Sequence, residues 1–240
     1  MDQSNSETAA RGFFITLEGT DGSGKSTLSK DVAKKLAGLG IEHCSNKVIA
    51  TEPDFVNRSM TAVAQLLWPK ESTFFDHLLP LYYWLHLQAT WYTLFYEFVV
   101  LPRLNAGKIL IVDGWYYKFV AKLLVRGVSD QYLTTMFSTI RQPDAVIFLD
   151  VDLEAIWDRK NDFRPHEMGL HHRYPELGRE SFLDYQTKIL DALRSLATKN
   201  DWRVAQLDGT ASLEQNTNQI SEIIEGLDFV RLRPTADAQR

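Results

Sequence analysis

Cysteine is nearly missing from this chain. Of its 240 residues only Cys44 carries a thiol, so no disulfide can form within the chain, and the composition suits a reducing compartment. An excess of positive charge is missing too. Lys and Arg number 26 against 31 Asp and Glu, a net charge of −5, which argues against a general nucleic-acid binder. There are no internal repeats and no low-complexity tract, which sets aside solenoids. Long apolar runs are scarce. The one stretch long enough to cross a bilayer, Leu78 to Leu101, holds a single formal charge at Glu97. It also holds His86, Gln88, Thr90, Thr93 and several tyrosines, and Pro80 and Pro102 suit a helix start and stop. A helix apolar on nearly every side is what the centre of a large α/β core requires, so the stretch is expected in a core and not in a membrane. Met1 to Ala10 is polar and lacks the apolar stretch of a secretory leader, so a cytoplasmic location is expected. Residues 1–11 and 229–240 are expected to be disordered tails around a single domain over 12–228.

What the chain does have is concentrated in Gly19-Thr20-Asp21-Gly22-Ser23-Gly24-Lys25-Ser26, a G-x-x-x-x-G-K-S phosphate-binding loop. The apolar run Phe13 to Leu17 before it reads as a buried strand. Leu28, Val32, Ala33 and Leu36 after it fall on one face of a helix. Glycines let backbone amides turn inward around a polyphosphate, and the helix start adds partial positive charge. Lys25 is placed to reach the β- and γ-phosphates of ATP, and the Ser26 hydroxyl to ligate Mg²⁺. Gly19, Asp21, Gly22, Ser23, Gly24, Lys25, Ser26 and Thr27 are therefore the candidate cofactor contacts.

Strands and helices alternate along the chain. A second strand is expected within Ile41–Thr51, best seen at Val48-Ile49-Ala50, with Thr51-Glu52-Pro53 at its carboxyl end. A helix is expected over Arg58–Leu67, stopped by Trp68-Pro69, and an aromatic-rich helix over Pro80–Asn105. Ile109–Val112 is a third strand that delivers Asp113. Two helices follow, through Phe119 and Leu124 and through Tyr132 and Phe137, before a fourth strand at Ala145–Leu149. A charged segment over 158–179 reads as a loop or lid. The remaining expectations are a long helix over Arg179–Lys199, a strand at Arg203–Leu207 and a closing helix over Leu213–Leu227. Together they predict a three-layer P-loop NTPase fold, a five-stranded parallel sheet with helices on both faces. In such sheets ligands bind at the carboxyl ends of the strands, so Asp113 becomes the second anchor, able to orient Mg²⁺ or to act as a base.

The run Phe14-Ile15-Thr16-Leu17-Glu18-Gly19 through Thr27 closely resembles the opening of thymidylate kinases. Thr51-Glu52-Pro53, Pro143-Asp144 through Asp152 and Glu176 to Leu196 resemble later segments of that family, so the likeness covers roughly 13–210. It implies an ATP-dependent kinase that moves a γ-phosphoryl group to a nucleoside monophosphate such as dTMP, and a possible homodimer. Departures fall on the acceptor side. The family's Asp-Arg-Tyr or Asp-Arg-Phe is Asp113-Gly114-Trp115 here, the arginine of the Thr-Arg-Glu-Pro turn is absent, and Pro80–Leu101 contains no arginine. These losses open alternatives: a kinase of a nucleoside or another small hydroxyl compound, or a non-catalytic nucleotide switch. They predict weak or absent activity on dTMP compared with an ordinary family member. Lys118, and one turn on Lys122, are the replacements expected for the acceptor phosphate. The resemblance further implies that Glu52, Trp84, Trp91, Tyr92 and Trp115 border the acceptor. Because the phosphate loop holds no arginine, it also implies a lid cation, with Arg159 and Arg164 chosen from a basic set that includes Lys160, Arg173 and Arg179. His171-His172 has no cysteine or clustered carboxylate to complete a metal site. Thr198-Lys199-Asn200-Asp201 matches a guanine-reading pattern but precedes a strand where that pattern should follow one.

Overall fold

The computed structural model of the chain describes residues 12–68, 79–172 and 174–227. Expectations placed on the two tails, Pro69, Leu78 and Arg173 lie outside the described residues.

Five parallel strands form one sheet in the order β2-β3-β1-β4-β5. They are β1 (Phe13–Glu18), β2 (Ile41–Cys44), β3 (Ile109–Val112), β4 (Ala145–Val151) and β5 (Arg203–Leu207). The central strands read as unbroken apolar runs because both faces are covered, and every residue of β3 is buried. The crossover from β1 to β2, carrying α1 (Lys25–Lys35), runs toward one edge of the sheet. Those from β2 to β3, from β3 to β4 and from β4 to β5 run the other way. Right-handed connections therefore put α1 on one face and the other crossover helices on the opposite face. These are α2 (Asp54–Leu67), α3 (Leu81–Phe95), α4 (Leu101–Asn105), α5 (Tyr117–Val125), α6 (Asp130–Phe137), α7 (Leu153–Arg159) and α8 (Arg179–Lys199). The closing helix, α9 (Leu213–Glu225), returns to pack on α1. Because the chain leaves β1 and β3 in opposite directions, a crevice opens at their carboxyl ends, beside the phosphate loop and Asp113.

Two local expectations are corrected. The second strand is Ile41–Cys44, and no strand forms at Val48–Ala50. As an edge strand, β2 buries Ile41 and Cys44 and leaves Glu42 and His43 half-exposed, so it lacks the apolar run that marks a central strand. Its register against β3, from Ile41 opposite Ile109 to Cys44 opposite Val112, places Asn46 and Lys47 at the crevice. Thr51-Glu52-Pro53 lies farther along the connection. The second correction concerns Pro102, which does not stop its helix. A π-turn over Tyr96–Val100 joins α3 to α4, and Pro102 falls in the first turn of α4, where its missing N–H is tolerated. Arg103 donates to the Val99 carbonyl at 2.5 Å and so satisfies an acceptor in that turn. Among the described residues no helix is long and apolar enough to cross a membrane.

The aromatic residues of α3 mostly go inward. Trp91 is fully buried, edge-on to Trp68 at 5.0 Å and stacked with Phe95 at 6.2 Å. Trp115 is edge-on to Phe14 at 4.9 Å and to Tyr92 at 5.4 Å. This cluster is the floor beneath the crevice.

Candidate active site

The phosphate loop joins β1 to α1 with Gly24 as the cap residue, at φ 93°, a left-handed conformation that favours glycine. Lys25 turns back into the loop. Its ammonium donates to the Gly19 carbonyl at 2.9 Å, the Thr20 carbonyl at 2.6 Å and the Ser23 hydroxyl at 3.2 Å. Burial, and next the charge of Lys118, pull its pKa down. An ammonium held by neutral oxygens and pressed by a like charge is primed for a polyphosphate.

Asp21 meets both lysines after β3. Lys118 donates to its Oδ1 at 2.5 Å and Lys122 to its Oδ2 at 2.7 Å, one helical turn apart on α5. Burial alone would raise the Asp21 carboxyl, yet Lys118, Lys122 and Lys25 hold it well below the usual carboxylate range. The two lysines therefore sit where the sequence places them, at the crevice, but paired with the loop.

Asp113 ends β3, and its Oδ1 accepts the Asn46 N–H at 2.7 Å. It does not cap α5, whose cap residue is Tyr116. It ties the end of β3 to the turn after β2, and the same turn is held from below by Trp91, whose indole N–H donates to the Asn46 carbonyl at 3.1 Å. Trp91 is thus part of the support and does not line the crevice. The next residue, Gly114, has φ 133°, and a Cβ there would stand 3.0 Å from the Asn46 side-chain nitrogen Nδ2. An arginine at this position would be strained and crowded, so the departure from Asp-Arg-Tyr is built into the backbone.

Glu18 escaped the sequence reading. It is fully buried at the end of β1, and its Oε1 accepts the Trp115 N–H at 2.6 Å. Its Oε2 has no hydrogen-bond partner among the described residues. Burial pushes its carboxyl pKa up, against the attraction of Lys25. Tyr92 completes the turn by donating its hydroxyl to the Trp115 carbonyl at 2.9 Å. The signal for Glu18 was a lone charge closing an otherwise apolar strand.

Two cavities flank the loop. The first, about 560 Å³, lies between the loop, the end of β4, the end of β5 and the start of α9, and includes Thr27, Leu28, Arg159, Asp208 and Asn216. The second, about 550 Å³, lies between the loop, Asp113, α3 and α5. Ser26, Trp84, Gln88, Tyr92, Trp115 and Phe119 line it, and so do Lys25, Lys47, Lys118, Lys122, Arg126, Lys160 and Arg164. Burial, with repulsion from Arg164 and Lys118, pulls the Lys47 pKa down, so these cations strain against one another. Glu52 is exposed and lines neither cavity. Asn46, Lys47, Arg126 and His166 line the second cavity without having been singled out from sequence. Burial lowers His166 to about 4, so it stays neutral near pH 7.

The charged segment between α7 and α8 bends over both cavities and is anchored. Phe163 stacks on Trp157 at 4.4 Å and tilts against Phe182 of α8 at 4.7 Å. Glu167 accepts the Lys160 ammonium at 2.6 Å and the Arg164 N–H at 2.9 Å, while its carbonyl takes the Gln186 amide at 2.7 Å. Arg159 donates to the Gly22 carbonyl at 2.6 Å, on the side of the first cavity. Arg164 lines only the second cavity, whereas Lys160 lines both.

Comparison with known proteins gives a consistent relationship. The sequence model described as Thymidylate kinase matches residues 17–220. The thymidylate kinase of Mycoplasmopsis agalactiae is 29% identical over 219 residues, 88% of this chain and 93% of that protein. That of Ligilactobacillus salivarius is 29% identical over 215 residues, 85% of this chain and 93% of that protein. Among solved structures, Candida albicans thymidylate kinase superposes with a TM-score of 0.62 at 22% identity, covering 91% of this chain and 93% of that one. Ehrlichia chaffeensis thymidylate kinase gives 0.57 at 18% identity, covering 89% and 99%. The structural matches support the fold, and the family match supports the relationship.

Proposed function

This chain belongs to the thymidylate kinase family of ATP-dependent kinases, and on that premise we propose that it transfers the γ-phosphoryl group of ATP to the phosphate of a dTMP-like nucleoside monophosphate. The observation that carries the reading is the crowd of cations around the second cavity. Lys47, Lys118, Lys122, Arg126 and Arg164 supply the positive charge that the missing arginines would have supplied. At rest Asp21 compensates Lys118 and Lys122, and a dianionic phosphate would draw them, with Lys47, Arg126 and Arg164, into charge-assisted contacts that a bare nucleoside hydroxyl cannot offer. The expectation of weak dTMP activity counted Lys118 and Lys122 but not Lys47 and Arg126, which line the same cavity.

In this reading ATP lies with its base in the first cavity and its phosphates along Gly19–Thr27. Lys25 exchanges the carbonyls of Gly19 and Thr20 for the β- and γ-phosphate oxygens. The Ser26 hydroxyl and the Asp113 carboxylate, hard oxygen donors lining one cavity, fit Mg²⁺, which when bound would neutralise charge on the β- and γ-phosphates. An acceptor phosphate oxygen is already ionised near neutral pH, its second pKa being about 6, so Asp113 orients the site and need not take a proton. The acceptor oxygen forms the new bond to the γ-phosphorus. The bond to the β–γ bridging oxygen breaks, and ADP leaves with its electrons.

Lys160, at the seam of the two cavities, is the cation best placed to follow the moving phosphoryl group, leaving Glu167 as it does so. Arg159 steadies the donor side and Arg164 the acceptor side. Trp84 and Tyr92 wall the acceptor, with Trp115 beneath them. A cytoplasmic homodimer belongs to the same reading, supported by the exposed Phe55 and Leu66 on α2 and Tyr82 on α3. Incubation with ATP–Mg²⁺ and a panel of dTMP, other nucleoside monophosphates and thymidine tests it. The expected result is a nucleoside diphosphate as the main product. Conversion of thymidine alone, or ATP hydrolysis without acceptor transfer, overturns it.

A further inference from the structure

We propose that Asn216 is the residue that reads the base of the phosphoryl donor. This rests on the reading of the first cavity as the donor-base pocket. That cavity has apolar walls, Leu28, Val151, Leu207, Ala211 and Leu213, with exposed Arg159, Asn161 and Asp162 on the lid side and Asp208, already bonded to Thr210, beside Asn216. Such walls hold a flat ring without choosing among rings. Discrimination needs a polar group presented to the ring edge.

Asn216 lies in the first turn of α9 and lines this slot, with only 8% of its surface exposed. Of the polar residues around it on the helix, Gln215, Asn218 and Gln219 are already paired, while the Thr217 hydroxyl is buried without a partner among the described residues and is not among the residues that line the slot. Gln215 closes a capping box with Ser212, Asn218 accepts from Lys35, and Gln219 donates to the Gln206 carbonyl at 3.0 Å. The Asn216 carboxamide makes no side-chain hydrogen bond among the described residues. With no partner in the described chain, the carboxamide keeps a donor and an acceptor accessible at the cavity wall, where a ligand in the slot can use them. A carboxamide offers a donor and an acceptor side by side, the complement of the adenine edge, where the amino group lies beside a ring nitrogen. A carboxylate at the same place only accepts, and suits the adjacent N1–H and amino donors of guanine.

The test uses the full chain and two variants, Asn216→Asp and Asn216→Leu, with kcat/KM for ATP and GTP against dTMP, and ADP binding measured by calorimetry without acceptor. Asn216→Asp should move the ATP-to-GTP ratio toward GTP by about tenfold or more. Asn216→Leu should weaken ADP binding several-fold, with kcat at saturating ATP and KM for dTMP within about twofold of the parent. An unchanged nucleotide ratio in the first variant, together with unchanged ADP affinity in the second, overturns the assignment. Because ADP binding is read without acceptor, it reports on Asn216 even if dTMP proves to be the wrong acceptor. Failure of the parent chain to phosphorylate dTMP would instead count against the function proposed above.

Discussion

The two sides of the phosphate loop solve the same problem by different means. On the donor side, charge recognition is backbone-based: glycine turns, the start of α1, and one lysine stored on the Gly19 and Thr20 carbonyls. On the acceptor side it is side-chain-based, with lysines from α5 parked on Asp21 and another from the turn after β2. Backbone recognition demands a fixed sequence, because only glycine tolerates the required dihedrals. Side-chain recognition demands only that enough cations converge, from any element. The first can therefore be read from a string of letters and the second only once the chain is folded.

The largest effect expected is on the donor side. Lys25→Ala removes a half-buried cation with no substitute in the loop, and should lower kcat by about 10²–10³-fold. Thermal stability should stay near that of the parent, because the ammonium contacts only loop oxygens. Steady-state kinetics beside a melting curve checks both, and near-normal turnover would break the comparison at its stronger end.

Asp113→Asn keeps the acceptor for the Asn46 N–H and removes the negative charge. Turnover should fall by about 10²-fold, with ATP affinity little changed. A loss below about threefold would leave Asp113 as only the tie between β3 and the turn after β2.

The lid cations sharpen the comparison at its seam. Lys160→Ala should reduce kcat by about 10²-fold, as loss of a charge-stabilising donor does, whereas Arg159→Ala should act mainly on the KM for ATP. Comparing kcat and KM in the two variants decides between them. Equal losses of kcat would show that the roles are shared.

The order of strands and helices was legible because apolar runs and 3.6-residue periodicity carry it, and β1, β3, α8 and β5 fall where the pattern puts them. Misreadings have physical causes. β2 is a half-polar edge strand, so the more apolar Val48-Ile49-Ala50 looked better. Trp91 looked like a substrate contact because an indole serves equally in a pocket or a core, and only the fold shows its N–H spent on Asn46. Lys118 was found because it follows Asp113 closely. Lys47 was missed because its strand was placed too late, and Glu18 because a buried carboxylate at a strand end has no spacing signature.

A smaller effect concerns pH. The Asp21 pKa is lowered in the folded state, so its pairing with Lys118 and Lys122 stabilises the fold fully above the ordinary value of 3.8 and is lost as pH falls below it toward the lowered value. Melting curves of the parent and Asp21→Asn should differ by a constant margin at neutral and mildly acidic pH. The margin should narrow only below that value.

The claim at the centre of this account is that lysine replaces arginine around the acceptor phosphate. The most direct test is the KM for dTMP in Lys118→Ala, measured at saturating ATP, with Lys118→Arg as the charge-keeping control. Loss of one charge-assisted contact worth ~1.5–3 kcal/mol predicts a rise of about 10- to 100-fold, rescued by arginine, with the KM for ATP unchanged. An unchanged KM for dTMP in Lys118→Ala, in an enzyme that turns dTMP over efficiently, would contradict it.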